Sequence, residues 1–165
     1  MLPLEIAPLT LKGFEMKKSI RLTLAMAALV AIAADALAVN FAKPADAIKY
    51  RQSAFSLMGS HFSDINAMLK GDIPFDAKRA ALDADIVATL ASMPWKAFGP
   101  GTEGGKSKPE IWKEMDKVKA GAQELEKASA ELKKVAATGD VENLKKAFAN
   151  TAKTCKACHD SYRDK

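Results

Sequence analysis

The segment VENLKKAFANTAKTCKACHDSYR, residues 141–163, decides how the rest of the chain reads. Val141, Leu144, Phe148, Cys155 and Tyr162 lie on or near one face of a helix, and lysines, acids and amides fill the remainder. Asp140 is placed to cap the start of this helix, and Gly139 to stop the one before it. Inside it stands Cys155-Lys156-Ala157-Cys158-His159, which contains the only two cysteines among the 165 residues.

Working outward, three further segments carry helical periodicity. About Pro44 to Leu69, the residues Ile48, Phe55, Met58, Phe62, Ile65 and Leu69 are spaced 7, 3, 4, 3 and 4, one apolar stripe. Pro44 suits the first turn, where its missing N–H costs nothing, and Gly71 ends the segment. About Asp76 to Ser92, a weaker stripe of Ala80, Val87 and Leu90 runs with Leu82 and Ile86 alongside, behind Asp76 as N-cap. From about Pro109 to Ala137, Ile111, Met115, Val118, Ala122, Leu125, Ala128, Leu132 and Val135 repeat at threes and fours. Between the second and third segments, Pro94 to Lys108 is rich in glycine and proline and reads as a loop. Its Trp95 and Phe98 imply that it folds onto the end of the bundle. The expected fold is all-α, an antiparallel four-helix bundle, the architecture that seats cofactors between facing helices.

The start of the chain reads differently. Met16-Lys17-Lys18 opens a basic region running to Arg21, Leu22 to Ile32 is apolar, and Ala36-Leu37-Ala38 presents small residues to a signal peptidase. Residues 1–38 are read as an upstream extension and a secretory signal peptide, with the start at Met16 and cleavage after Ala38. Residues 39–165 form the mature domain. That domain keeps 21 basic and 17 acidic residues, interspersed and not blocked. No nucleic-acid partner is expected, and no membrane association after cleavage.

An exported chain ordinarily uses cysteines in disulfides, but a bridge closing so short a loop stabilises little. The C-x-x-C-H pattern is the one that attaches haem c. Each thiol adds across one vinyl group, the two intervening residues let one helical turn present both sulfurs to one porphyrin edge, and the adjacent imidazole ligates the iron. A thioredoxin-type pair calls for a βαβ setting that is absent from the pattern. A zinc site calls for four ligands where these residues supply three. The sixth iron position decides between electron carriage and gas binding. Met58, Met68, Met93, Met115 and His61 are candidates for it. Met58 lies on the first stripe, where methionine is more often core packing.

The residues Asn40-Phe41-Ala42-Lys43-Pro44, Tyr50-Arg51-Gln52-Ser53-Ala54, Pro94-Trp95 and Phe98-Gly99-Pro100-Gly101-Thr102-Glu103-Gly104-Gly105 carry a family resemblance. Pro109-Glu110-Ile111-Trp112 and Cys155-Lys156-Ala157-Cys158-His159-Asp160 complete it. From about Asn40 to Arg163 the chain resembles cytochrome c′, the class II c-type cytochromes. The resemblance implies a periplasmic homodimer with one covalent, high-spin, five-coordinate haem c held by Cys155 and Cys158, with His159 as the sole protein axial ligand. It places Arg51 and Gln52 at the haem propionates or edge, and Trp95, Phe98, Thr102 and Glu103 in the segment near the haem. Phe55 matches the apolar residue over the vacant distal side, where close relatives often carry leucine and low-spin cousins a ligating methionine near this position. Arg163 matches a basic residue beside the proximal histidine; a surface arginine favouring the helix dipole is the alternative.

The function implied is binding of nitric oxide and carbon monoxide, with electron transfer within reach. A dedicated six-coordinate electron carrier with a redox partner protein is the alternative. An enzyme such as a peroxidase would want a distal acid–base residue. Phe55 argues against that, and His61 is a weak counter-candidate.

Overall fold

The chain is described by a computed structural model over residues 41–165. The start at Met16, the signal peptide of residues 1–38 and its cleavage after Ala38 lie outside the described residues. α1 spans Pro44–Lys70, with Pro44 in its first turn. It ends where Gly71 takes φ 80°, letting Gly71 N–H reach Met68 O at 3.2 Å and Asp72 N–H reach Ala67 O at 2.9 Å. That paired closure needs a left-handed residue and explains the glycine. α2 spans Ala77–Ala91 behind Asp76, whose carboxylate accepts from Lys78 N–H and Arg79 N–H. A 3₁₀ turn, Pro94–Ala97, follows in the stretch read as loop. α3 is Glu110–Lys113, α4 Met115–Ala136 and α5 Val141–Tyr162, the last capped by Asp140 on Asn143 N–H at 3.0 Å.

The third helix predicted from sequence is therefore two. It breaks at Glu114, at φ −120° and ψ 35°, with no glycine or proline to announce it. The cause is tertiary: the Glu114 carboxylate accepts from Tyr162 O–H at 2.7 Å and from Lys117 Nζ at 3.0 Å. The α2 stripe is also corrected. Leu82 is 60% exposed, while Asp83 is buried beside Ala80, Ala84, Val87 and Ala91.

α1 packs on α2, α2 on α4 and α4 on α5, giving the antiparallel four-helix bundle. α2 serves two neighbours, and its Ala80, Ala84 and Ala91 are fully buried. Small side chains there let both partners approach closely. Met58, Ile65, Met68, Val87, Leu125, Leu132 and Leu144 fill the core between them. The pair that would complete the ring, α1 and α5, meets at only a few residues.

Across the α1–α2 contact, His61 Nδ1 lies 2.7 Å from Asp83 Oδ1, and Arg79 Nε donates to Asp64 at 2.6 Å. Asp83 Oδ2 is buried without a donor. Burial raises the Asp83 pKa; His61 opposes that, and neighbouring Asp64 adds to it. A carboxyl whose folded pKa is raised above its unfolded value near 3.9 costs the fold stability once ionised. That contribution is full at low pH and is lost as pH rises through the folded pKa. Asp83→Asn should therefore melt above the wild type at pH 7, with the gap closing toward pH 4. Thermal unfolding of the haem-loaded protein across that range checks this, and a gap that widens on acidification refutes it.

Candidate functional site

α1 and α5 each carry an apolar row at heptad spacing, and the two helices meet at Phe62 and Phe148. Ile48, Phe55, Phe62 and Leu69 line α1; Val141, Phe148, Cys155 and Tyr162 line α5, and all eight are half-buried. Phe62 and Phe148 stack with centroids 4.0 Å apart and planes at 10°. The helices are antiparallel, so seven residues back from Phe62 and seven forward from Phe148 reach one level. That level, about 10 Å from the stack, holds Phe55 and Cys155. Both also pack against the main core.

Cys158 lies three residues past Cys155, hence on the same side of α5. Both thiols are free and partly buried, and burial raises the pKa of each. His159 lies at an open cleft of about 560 Å³ shared with Lys108, Asp160, Arg163, Asp164 and Lys165. Burial, and then the positive charge of Arg163, lower its pKa against Asp160, favouring the neutral imidazole that a metal requires. Arg163 thus faces the same cleft as His159, as their four-residue separation implies.

The end of the seam is roofed by aromatic rings. Trp95 meets Phe55 edge-on at 5.7 Å, and buried Phe98 lies 6.4 Å from Phe55 and 6.1 Å from Trp112. Trp95 Nε1 donates to Ala91 O at 2.6 Å and Trp112 Nε1 to Gly99 O at 3.1 Å, so each indole is fixed at its polar tip.

Arg51 holds this roof down. Its side chain is 1% exposed, so it is no surface charge. Nη1 donates to Ala97 O at 2.8 Å and Thr102 O at 2.7 Å, and Nη2 to Gly104 O at 2.9 Å. The guanidinium also lies over Phe98 at 4.6 Å and Trp112 at 5.6 Å, within cation–π range. Burial lowers its pKa, and Glu103 opposes that. Thr102 O–H donates to Gly99 O at 2.7 Å, and Glu103 accepts from Gly101 N–H at 3.3 Å, so both serve the loop itself. Gln52 is exposed and lies against Gly105. Gly105 takes φ +66°, a backbone conformation that favours glycine. Met58 is 6% exposed within the core, and His61 is engaged by Asp83 on the α2 side.

The residues fit a covalently held haem c. Two unpaired, half-buried thiols lie one turn apart on α5, the first packed against the apolar core, with a neutral-favouring imidazole next to the second. Among the described residues no three His, Cys, Asp or Glu side chains gather to hold a bare metal ion. Sequence reasoning left out Trp112 as a roof member and Glu114 as the partner of Tyr162. Trp112 stood in the quoted Pro109–Trp112 motif, whereas nothing local marks Glu114.

Arg51→Met should cost about 3 kcal/mol, since it removes the three guanidinium hydrogen bonds that tie the loop to α1, one of them buried. Arg51→Lys should recover only part, because one ammonium cannot reproduce a planar fork. Urea unfolding of the haem-loaded variants measures this; equal stability of all three proteins refutes the clamp.

The family profile described as Cytochrome C' matches residues 46–163. Cytochrome c' of Alcaligenes xylosoxydans xylosoxydans is 46% identical over 126 residues, covering 76% of this chain and 99% of the relative. Among solved structures, the nitric oxide complex of a leucine-to-alanine mutant of cytochrome c prime from Alcaligenes xylosoxidans superposes with a TM-score of 0.73. It is 45% identical and covers 76% of this chain and 99% of the other. A ferrous leucine-to-phenylalanine mutant of the same protein is 46% identical at a TM-score of 0.73, covering 76% and 100%.

Proposed function

The chain belongs to the cytochrome c′ family, whose members carry covalent haem c, and from that premise we propose a periplasmic, five-coordinate haem protein that binds nitric oxide and carbon monoxide. Cys155 and Cys158 hold the haem through two thioethers, and His159 is its proximal ligand. The bound haem supplies the iron that takes a diatomic gas or an electron. Phe55 carries the reading: it stands across the seam at the level of Cys155, and a phenyl ring offers no lone pair to iron. Met58, the nearest thioether on α1, is committed to the core, and His61 to Asp83.

The distal wall of Phe55, Trp95 and Phe98 is apolar. It excludes water and offers no hydrogen bond to a polar bound ligand, so nitric oxide and carbon monoxide are favoured over dioxygen. Arg51 keeps that wall in place through the loop with three of its five N–H groups, leaving two to meet a propionate. The relative crystallised with nitric oxide supports the ligand class.

The signal-like residues 1–38 support export to the periplasm. No helix among the described residues is long and apolar enough to cross a membrane. The family reading includes a homodimer through α1 and α2, the helices that carry Leu57 and Leu82 at 54% and 60% exposure. Leu82→Glu should convert the dimer to monomer in sedimentation; a wild type already monomeric refutes the dimer.

The deciding experiment is the visible and resonance Raman spectrum of the reduced protein with and without carbon monoxide. A high-spin spectrum that converts fully on adding the gas is expected. A low-spin spectrum indifferent to it favours the six-coordinate electron carrier. Phe55→Leu should speed carbon monoxide association about tenfold, as relief of roughly 1.4 kcal/mol of crowding gives. Stopped-flow mixing reads that rate, and an unchanged rate removes Phe55 from the entry path.

A further inference from the structure

His159 sits in the last turn of α5, where a helix ordinarily frays because its final carbonyls lack partners. Here every carbonyl from His159 to Tyr162 has a donor. Arg163 N–H reaches His159 O at 3.2 Å and Lys108 N–H reaches Tyr162 O at 3.0 Å. Lys108 Nζ donates to Asp160 O and Ser161 O at 3.5 and 3.4 Å. Asp164 N–H adds a bond to Lys106 O at 3.0 Å, and Ser107 bridges to Arg163 in antiparallel fashion. No glycine closes this helix; Arg163 leaves it extended, at φ −113° and ψ 130°. The satisfaction comes from segment 106–108, some fifty residues away in sequence.

A second tie comes from the side chain one turn past His159. Tyr162 places its ring among Phe98, Ile111 and Val118, and its hydroxyl donates to Glu114 Oε2 at 2.7 Å. Lys117 Nζ holds the other carboxylate oxygen at 3.0 Å. Glu114 sits at the α3–α4 break, so the bond joins the last turn of α5 to the start of α4.

We propose that Tyr162 and Glu114, with Lys108, are positioning residues for His159: they fix the azimuth and height of the last α5 turn and so the direction of the axial bond to iron. The inference rests on His159 being that ligand. An axial imidazole must be held to about 0.5 Å and 10–20° to keep its bond geometry, and a fraying turn cannot do so. A carboxylate–phenol bond from one side and a main-chain strap from the other remove both rotation and lift of that turn.

The test compares four variants of the haem-loaded protein with the wild type. Tyr162→Phe keeps the packed ring and loses the donor. Glu114→Gln keeps an acceptor oxygen. Lys108→Met keeps the main-chain N–H and loses the ammonium. Asp140→Ala removes the cap at the opposite end of α5 and is the stability control. The readouts are the iron–histidine stretching band of the ferrous protein, the reduction potential and the melting temperature. Tyr162→Phe and Lys108→Met should each shift the band to lower frequency, broaden it and move the potential. Glu114→Gln should stay close to wild type. Asp140→Ala should lower the melting temperature without touching band or potential. The proposal is overturned if Tyr162→Phe and Lys108→Met keep the wild-type band and potential, or if Asp140→Ala moves them as far. A wild type without an iron–histidine band overturns the five-coordinate reading instead. The potential can be measured under either coordination and then decides the role of the pair alone.

Discussion

Two antiparallel helices with apolar rows at heptad spacing would ordinarily zip together along their whole length. In this bundle α1 and α5 do so at the Phe62–Phe148 stack and diverge from full contact elsewhere. The rest of the site depends on that divergence. The three tight contacts, α1 on α2, α2 on α4 and α4 on α5, rest on alanine and aliphatic burial that leaves no room for a ligand. The fourth presents half-buried rings, a thiol and the turn with His159. A flat apolar group covers such rows better than side chains can, because it meets both walls at once while its polar rim reaches solvent.

Around that seam the structure spends its strong polar interactions on geometry. A buried guanidinium fastens the loop that roofs one end, and a carboxylate–phenol pair with a lysine strap fastens the turn at the other. These are charge-assisted or main-chain hydrogen bonds, and the Arg51 bond to Ala97 O is buried, where it is stiffer than its counterpart in water. The surface ion pairs on α4 and α5, such as Lys145–Glu142 and Lys134–Glu131, are exposed neighbours along one helix and contribute little by comparison. Rigidity is concentrated where an iron ligand and an entry path would need it.

Much of this was legible in the sequence, because helices, caps and the C-x-x-C-H spacing are local signals. Asp76, Asp140, Pro44 and Gly71 terminate elements where their chemistry says they should. What was not legible depends on distant partners. The break at Glu114 has no breaker residue, since its cause is a tyrosine forty-eight positions on. Asp83 was passed over for Leu82 because a periodicity argument ranks apolar over acidic, whereas His61 on the neighbouring helix makes the acid tolerable inside. For Arg51, family resemblance pointed to the haem edge. The side chain proves to be engaged by three loop carbonyls, a role that no spacing in α1 announces.

The Arg51 clamp has an evolutionary side. All three of its acceptors are main-chain oxygens, so its grip does not depend on which side chains stand at Ala97 and Thr102. Glycine is demanded where the backbone adopts positive φ, as at Gly104 and Gly105. Elsewhere in the loop, substitutions can accumulate and recolour the rim of the site while its backbone path is preserved. A lineage carrying this arginine can drift in surface charge and in the partners it meets without rebuilding the aromatic cluster beneath.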